Sequence, residues 1–150
     1  MSSDGGLRPL FRDRLKADFH WQSVETGLTG PGTPDSNFGA RSVERWIEFK
    51  QASDWAPQIK VEQIGWHLHR SAVGGLSFVA IRRTHDGGPR KGPAVDELWL
   101  CLGKYIGILD RERMRSPNIK WLGVWSGGPS RWDWSEIGTL LTASKEELEG

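Results

Sequence analysis

Residues 33–51, Thr-Pro-Asp-Ser-Asn-Phe-Gly-Ala-Arg-Ser-Val-Glu-Arg-Trp-Ile-Glu-Phe-Lys-Gln, limit the fold more than any other stretch, because two short extended runs flank a Gly-Ala-Arg-Ser turn. The second run alternates. Val43, Ile47 and Phe49 fall on one side, interrupted by Arg45, while Glu44, Trp46, Glu48 and Lys50 fall on the other. A period of two is the signature of a strand, whose successive side chains face opposite sides. Glu48 and Lys50 therefore share a face at a spacing of about 6–7 Å. With the turn centred between Arg41 and Ser42, Asp35 falls opposite Glu48 on the partner strand. Two carboxylates and one ammonium then meet on a rigid hairpin. Oxygen donors of this kind suit a hard cation such as Mg²⁺, and a lysine beside it can stabilise charge developing on a phosphate.

Pro34-Asp35, twelve residues, then Glu48-Phe49-Lys50 resembles the signature of the PD-(D/E)XK nuclease superfamily. Around it lie a Gly-rich approach (Gly27, Gly30, Gly32), a helix containing Gln63, Gly74-Gly75, and the apolar run Leu76-Ser-Phe-Val-Ala-Ile81. That order resembles the VRR-NUC and phage Holliday-junction-resolvase-like branch, over about residues 19 to 83. The resemblance implies a restriction-endonuclease-like α/β fold, a mixed β-sheet core flanked by helices. It implies that Asp35, Glu48 and the backbone carbonyl of Phe49 hold Mg²⁺ or Mn²⁺, that Lys50 orients or activates water, and that Gln63 helps order the site. The superfamily commonly carries a further carboxylate ahead of the Pro-Asp pair, often on the first helix. Here the first helix is dominated by Arg8, Arg12, Arg14 and Lys16, so Glu25, just before the glycine loop, is expected in that role ahead of Asp13 and Asp18.

The chain of 150 residues, with 37% hydrophobic and 26% charged residues, fits one globular domain spanning residues 1–150, which the resemblance implies is nuclease-like. No apolar run is long enough for a membrane span and no signal-peptide core opens the chain, which points to a cytoplasmic setting. A single cysteine, Cys101 in an apolar run, excludes a disulfide framework and fits a reducing compartment. A net charge of +1 gives no overall basic field, so a nucleic-acid partner requires a local patch. Residues 27–33 lack the Gly-Lys-Ser/Thr ending of a phosphate-cradling P-loop, which removes a nucleoside-triphosphate reading.

Along the chain, residues 1–6 read as flexible, and Leu7, Leu10, Phe11 and Leu15 follow helical spacing with Pro9 in the first turn. Residues 19–26 alternate as a first strand. Val61, Ile64 and Leu68 predict the buried stripe of a helix over about residues 59–70, with Gln63, His67 and Arg70 on another face and His67 and His69 as exposed or capping groups. Residues 76–83, 97–102 and 120–125 read as strands, and 104–110 as a short strand or helical turn. Arg82, Arg83, Arg90 and Lys91 read either as an arm over a phosphate backbone or as a solvated loop. Asp133 with Glu136 marks a helix start, and residues 145–150 read as a frayed tail. The nine tryptophans fit core positions best, Trp99 and Trp121 above all, with stacking on unpaired bases as the other use.

The expected function is a metal-dependent DNA endonuclease of Holliday-junction-resolvase-like type, with DNA, branched DNA included, as partner and a homodimer as the form that makes paired cuts. A catalytically silent DNA-binding module of the same fold, or a Trp-rich protein or carbohydrate interaction domain, are the other readings. The intact Asp35, Glu48 and Lys50 favour the enzyme.

Overall fold

The computed structural model describes residues 4–24 and 31–150. The elements are α1 (Leu7–Arg14), β1 (Phe19–Ser23), β2 (Ser36–Ala40), β3 (Val43–Ala52), α2 (Val61–Ala72), β4 (Ser77–His85), β5 (Val95–Leu102), a 3-10 turn (Gly103–Tyr105), α3 (Ile106–Glu112), β6 (Trp121–Trp125), α4 (Trp134–Thr142) and α5 (Lys145–Glu149). The strands form one open six-stranded sheet in the order β1-β2-β3-β4-β5-β6. Only β3 and β4 run parallel; every other neighbouring pair is antiparallel. A parallel neighbour needs a crossover, and α2 supplies it, because two parallel strands cannot be joined by a hairpin. The chain is thus mixed α/β, with a mostly antiparallel sheet flanked by helices.

The alternation of β3 explains the layering. Ile47 and Phe49 enter a core with Leu7 and Phe11 of α1, Phe38, Phe78, Leu98, Leu100, and Ile137 and Leu141 of α4. Ala52 enters a second core on the other face with Val79, Ile81, Cys101, Ile106, Leu109 and Met114. In the first core the rings of Phe11 and Phe49 are 4.9 Å apart. Arg45, the residue that breaks the apolar side of β3, is buried and donates from Nη1 to the carbonyl of Leu141 at 2.9 Å. An interior guanidinium there answers an open helix-end carbonyl; burial lowers its pKa from the usual arginine range.

The β2–β3 register pairs Ser36 with Ile47 and Ala40 with Val43, so the turn is centred between Arg41 and Ser42 as the sequence predicts. Both turn residues have positive φ, 49° and 71°. A two-residue hairpin needs that geometry to match strand twist, usually with Asn or Gly. The Arg41 side chain pairs with Asp18 and lies over the Phe19 ring.

Three expectations differ from the structure. Residues 4–6 are held: Asp4 is buried, and the carbonyl of Gly5 accepts from Arg82 Nη1 at 2.8 Å. Residues 145–149 form α5, whose Ser144 cap accepts from Glu147 N while Leu148 is buried in the first core. A Ser144–Glu147 capping box starts this helix, and a single apolar residue in an acidic run gave little sign of the docking. Leu148→Ala is expected to lower unfolding free energy by about 2–4 kcal/mol in chemical denaturation, whereas a tail without packing would give no change. Arg82 and Arg83 do not belong to an arm. Arg82 binds Asp96 through two nitrogens, at 2.9 and 2.8 Å, and Arg83 binds Glu97 at 2.9 Å. Arg90 and Lys91 remain exposed in the following loop.

The tryptophans are partitioned differently from expectation. Trp125 and Trp132 are buried, while Trp99 and Trp121 are half-buried at the edge of the second core. Indole N–H groups of Trp21, Trp99, Trp121, Trp125, Trp132 and Trp134 all donate within the protein. These six have no row of free indoles to offer a partner. Among the described residues, no helix is long and apolar enough to cross a membrane.

Candidate active site

Ser36 is the last β2 residue paired with β3, and the side chain of Asp35 continues the ladder where the backbone leaves it: Phe49 N donates to Asp35 Oδ2 at 2.9 Å. That bond holds the carboxylate of Asp35 near enough to Glu48 for the two to feel each other's charge. Lys50 follows on the same face of β3. Its Nζ donates to Gln63 Oε1 at 2.7 Å, and Gln63 Nε2 donates to Glu48 Oε2 at 3.3 Å. Gln63 Oε1 also accepts from Lys60 N at 2.9 Å, at the start of α2. One amide therefore ties the lysine and one carboxylate of β3 to the first turn of the crossover helix. The sequence brings Asp35, Glu48, Phe49, Lys50 and Gln63 together as expected.

The expected orientation of α2 is not what the structure has. Val61 and Leu68 are 74% and 45% exposed, and among residues 61–72 only His67 is buried. Of the predicted stripe, Ile64 alone packs inward, towards α3. The helix turns its Gln63–His67–Arg70 side to the sheet because Glu48 and Lys50 are themselves covered, and buried charged groups require polar partners. Spacing on the helix was readable; which side faced inward depended on β3 carrying charge under the helix. His67, expected to be exposed or capping, is at 0% exposure, with Nδ1 2.7 Å from Ser77 Oγ and Nε2 3.5 Å from Glu48 Oε1. His67 and Ser77 are the site residues that sequence reasoning missed. Their signal was present: His67 lies four residues after Gln63, one turn along the same face.

The electrostatics follow from burial. Loss of hydration pushes Asp35 up to about 7, helped by the charge and hydrogen bond of Glu48 and opposed by the Phe49 amide and Lys50. Burial likewise raises Glu48 above the usual carboxylate range. The pair titrates as a unit, retaining a proton that isolated carboxyls would have lost by neutral pH. Desolvation lowers Lys50, opposed by Glu48 and Asp35. Desolvation, with the charge of Lys50, takes His67 down to about 4, so the ring is neutral. Burial thus makes full ionisation of both carboxylates unfavourable near neutral pH unless further positive charge is brought beside them.

That strain fits a divalent cation. The donors are hard oxygens on two facing carboxylates, and Glu48 Oε1 is a buried oxygen without a hydrogen-bond partner. Among the described residues, no group of three or more His, Cys, Asp or Glu side chains is gathered in metal-binding geometry. A two-carboxylate set leaves the remaining positions to a backbone carbonyl, water and substrate, which Mg²⁺ tolerates and an all-protein cage does not describe. Glu25 lies outside the described residues. Of its two rivals, Asp13 is exposed beside Lys16 and Asp18 is exposed beside Arg41, neither at the site. No protein-family model matches the chain, and no curated protein does.

Proposed function

We propose that the protein is a metal-dependent endonuclease of the PD-(D/E)XK type, hydrolysing phosphodiester bonds in DNA. The observation that carries this reading is the coincidence, on one covered face of β3, of two facing carboxylates with a desolvated lysine held by Gln63. Two adjacent covered carboxylates beside one lysine are costly to bury, and a site that takes a cation and a phosphate gives all three a common purpose.

Asp35 and Glu48, with the carbonyl of Phe49, would hold Mg²⁺ or Mn²⁺, which would supply water activation and shield the phosphate from carboxylates that would otherwise repel it. Gln63 fixes the ammonium of Lys50, which donates to the phosphate oxygens as negative charge builds on them. Burial strengthens that interaction, since an ammonium with little competing water acts at close to its full charge. Exposed Lys60 at the start of α2, Arg111 in the last turn of α3, and Arg113 and Arg115 just after it belong to the helical layer on this face and offer phosphate contacts. A homodimer would present two such sites to the two strands of a branched substrate.

The test is a cleavage assay on branched and linear DNA with Mg²⁺, Mn²⁺, Ca²⁺ or EDTA. Turnover is expected with Mg²⁺ or Mn²⁺ and little with Ca²⁺, whose looser, larger coordination positions water poorly. Full turnover by metal-stripped protein in EDTA contradicts the mechanism.

A further inference from the structure

His67 has no part in the chemistry described so far, yet it is among the most enclosed polar side chains of the site. Its Nε2 and Glu48 Oε1 face each other across 3.5 Å, and neither has a normal hydrogen-bond partner. Two buried polar atoms left in this way cost stability unless they serve one another. The ring cannot retreat. A Cβ placed on Gly103 would come within 2.1 Å of Ser77 Oγ and 2.4 Å of His67 Nδ1, so the 3-10 turn backs both groups without space to spare. The other oxygen of Glu48 is held from the same helix by Gln63 Nε2 at 3.3 Å.

We propose that His67 is a positioning residue for Glu48: Ser77 donates its hydroxyl proton to Nδ1, the ring carries its own proton on Nε2, and that N–H faces Glu48 Oε1 and fixes the rotation of the carboxylate. The inference rests on the reading of Asp35 and Glu48 as cation ligands. The opposite tautomer would set a ring lone pair against a carboxylate oxygen in a covered site. With Nε2–H, α2 gives one donor to each oxygen of Glu48, Gln63 for Oε2 and His67 for Oε1. Outer partners of this kind orient carboxylate ligands, and such contacts are commonly long before the site is loaded and shorten on loading.

The experiment combines two readouts. Nitrogen-15 NMR of the wild-type protein at neutral pH reads the tautomer of His67, expected as Nε2–H. Titration with Mn²⁺, followed by electron paramagnetic resonance without DNA, compares wild type with His67→Leu and His67→Gln. Leu fills similar volume without a donor and is expected to weaken Mn²⁺ binding about 10–100-fold. Gln retains an N–H and is expected to restore most of it, which a merely space-filling role would not predict. If His67→Leu does not fold, Ser77→Ala replaces it; this leaves the ring in place, frees the tautomer and is expected to weaken Mn²⁺ several-fold. Unchanged affinity in the folded donor-free variant, or in Ser77→Ala where it stands in, overturns the proposal, as does an Nδ1–H tautomer. Nitrogen coupling from His67 to bound Mn²⁺ overturns it too, making the ring a ligand. If wild type binds no Mn²⁺, the cation reading fails by itself, and the tautomer alone decides: Nε2–H upholds the contact to Glu48 and Nδ1–H removes it.

Discussion

Lys50→Ala is expected to lower the rate of DNA cleavage by at least about 10²–10³-fold, the loss typical when one preorganised electrostatic donor is removed from a covered site. Glu48→Gln is expected to do the same by a different route, since a neutral amide replaces a charged cation ligand. Both side chains lie on the covered face of β3, at 8% and 1% exposure, so folding must be checked alongside rate. Glu48→Gln preserves shape, and its fold should survive with little change. Lys50→Ala leaves Gln63 without its ammonium and opens a gap, but it also removes a cation whose charged form burial disfavours. These effects oppose each other, and a net change of about 1 kcal/mol in unfolding free energy is expected, small beside a loss of more than two decades in rate. Thermal melts and single-turnover cleavage on the same preparations measure both.

Asp35→Asn should move stability and activity in opposite directions. The folded-state pKa of Asp35, about 7, stands above its ordinary 3.8, so folding favours the protonated form. The contribution is fully present below the unfolded value and is lost as pH rises through 7, where the buried site must accept the second charge. Asn keeps an oxygen for the Phe49 amide and gives Glu48 an N–H in place of a negative charge. The cation-free variant is therefore expected to exceed wild type at pH 8 by about 1–3 kcal/mol, an advantage that disappears below about pH 4. Other titrating groups, His67 included, are common to both proteins and largely drop out of the difference. Cleavage by the variant should be lost, because the cation loses one of two charged ligands. Paired denaturant titrations at pH 4, 6 and 8 read the effect; a variant no more stable than wild type at pH 8 would mean that Asp35 bears its charge without strain.

The hairpin carried most of what could be read in advance. Strand alternation and the position of the Arg41–Ser42 turn together set Asp35 against Glu48, because register and facing are local consequences of a period-two pattern. The Asp133 cap was equally local, its side chain accepting from Glu136 N at 3.0 Å. The orientation of α2 was not local. Val61, Ile64 and Leu68 obey the apolar periodicity, but the surface beneath the helix is a charged strand, and satisfying Glu48 and Lys50 decided which side turned in. His67 was misplaced for that reason alone. Arg82 and Arg83 looked like free cations because Asp96 and Glu97, which neutralise them, come from the antiparallel partner β5, Glu97 directly opposite Arg83 and Asp96 diagonal to Arg82. Leu148 shows the same limit at the C-terminus, where one buried side chain outweighed the acidic, solvent-seeking character of its neighbours.

The central claim is that Asp35, Glu48 and Lys50 form a cation-dependent phosphodiesterase site, and one measurement tests it most directly. Metal-stripped wild-type and Lys50→Ala proteins, purified in parallel and shown by thermal melting to be folded, are given the same branched DNA with Mg²⁺ added back or withheld. Cleavage by wild type only when Mg²⁺ is returned, and none above background by Lys50→Ala, is the predicted result. Equal cutting by the two proteins, or no cutting by folded wild type on branched or linear DNA with Mg²⁺ or Mn²⁺, would contradict it.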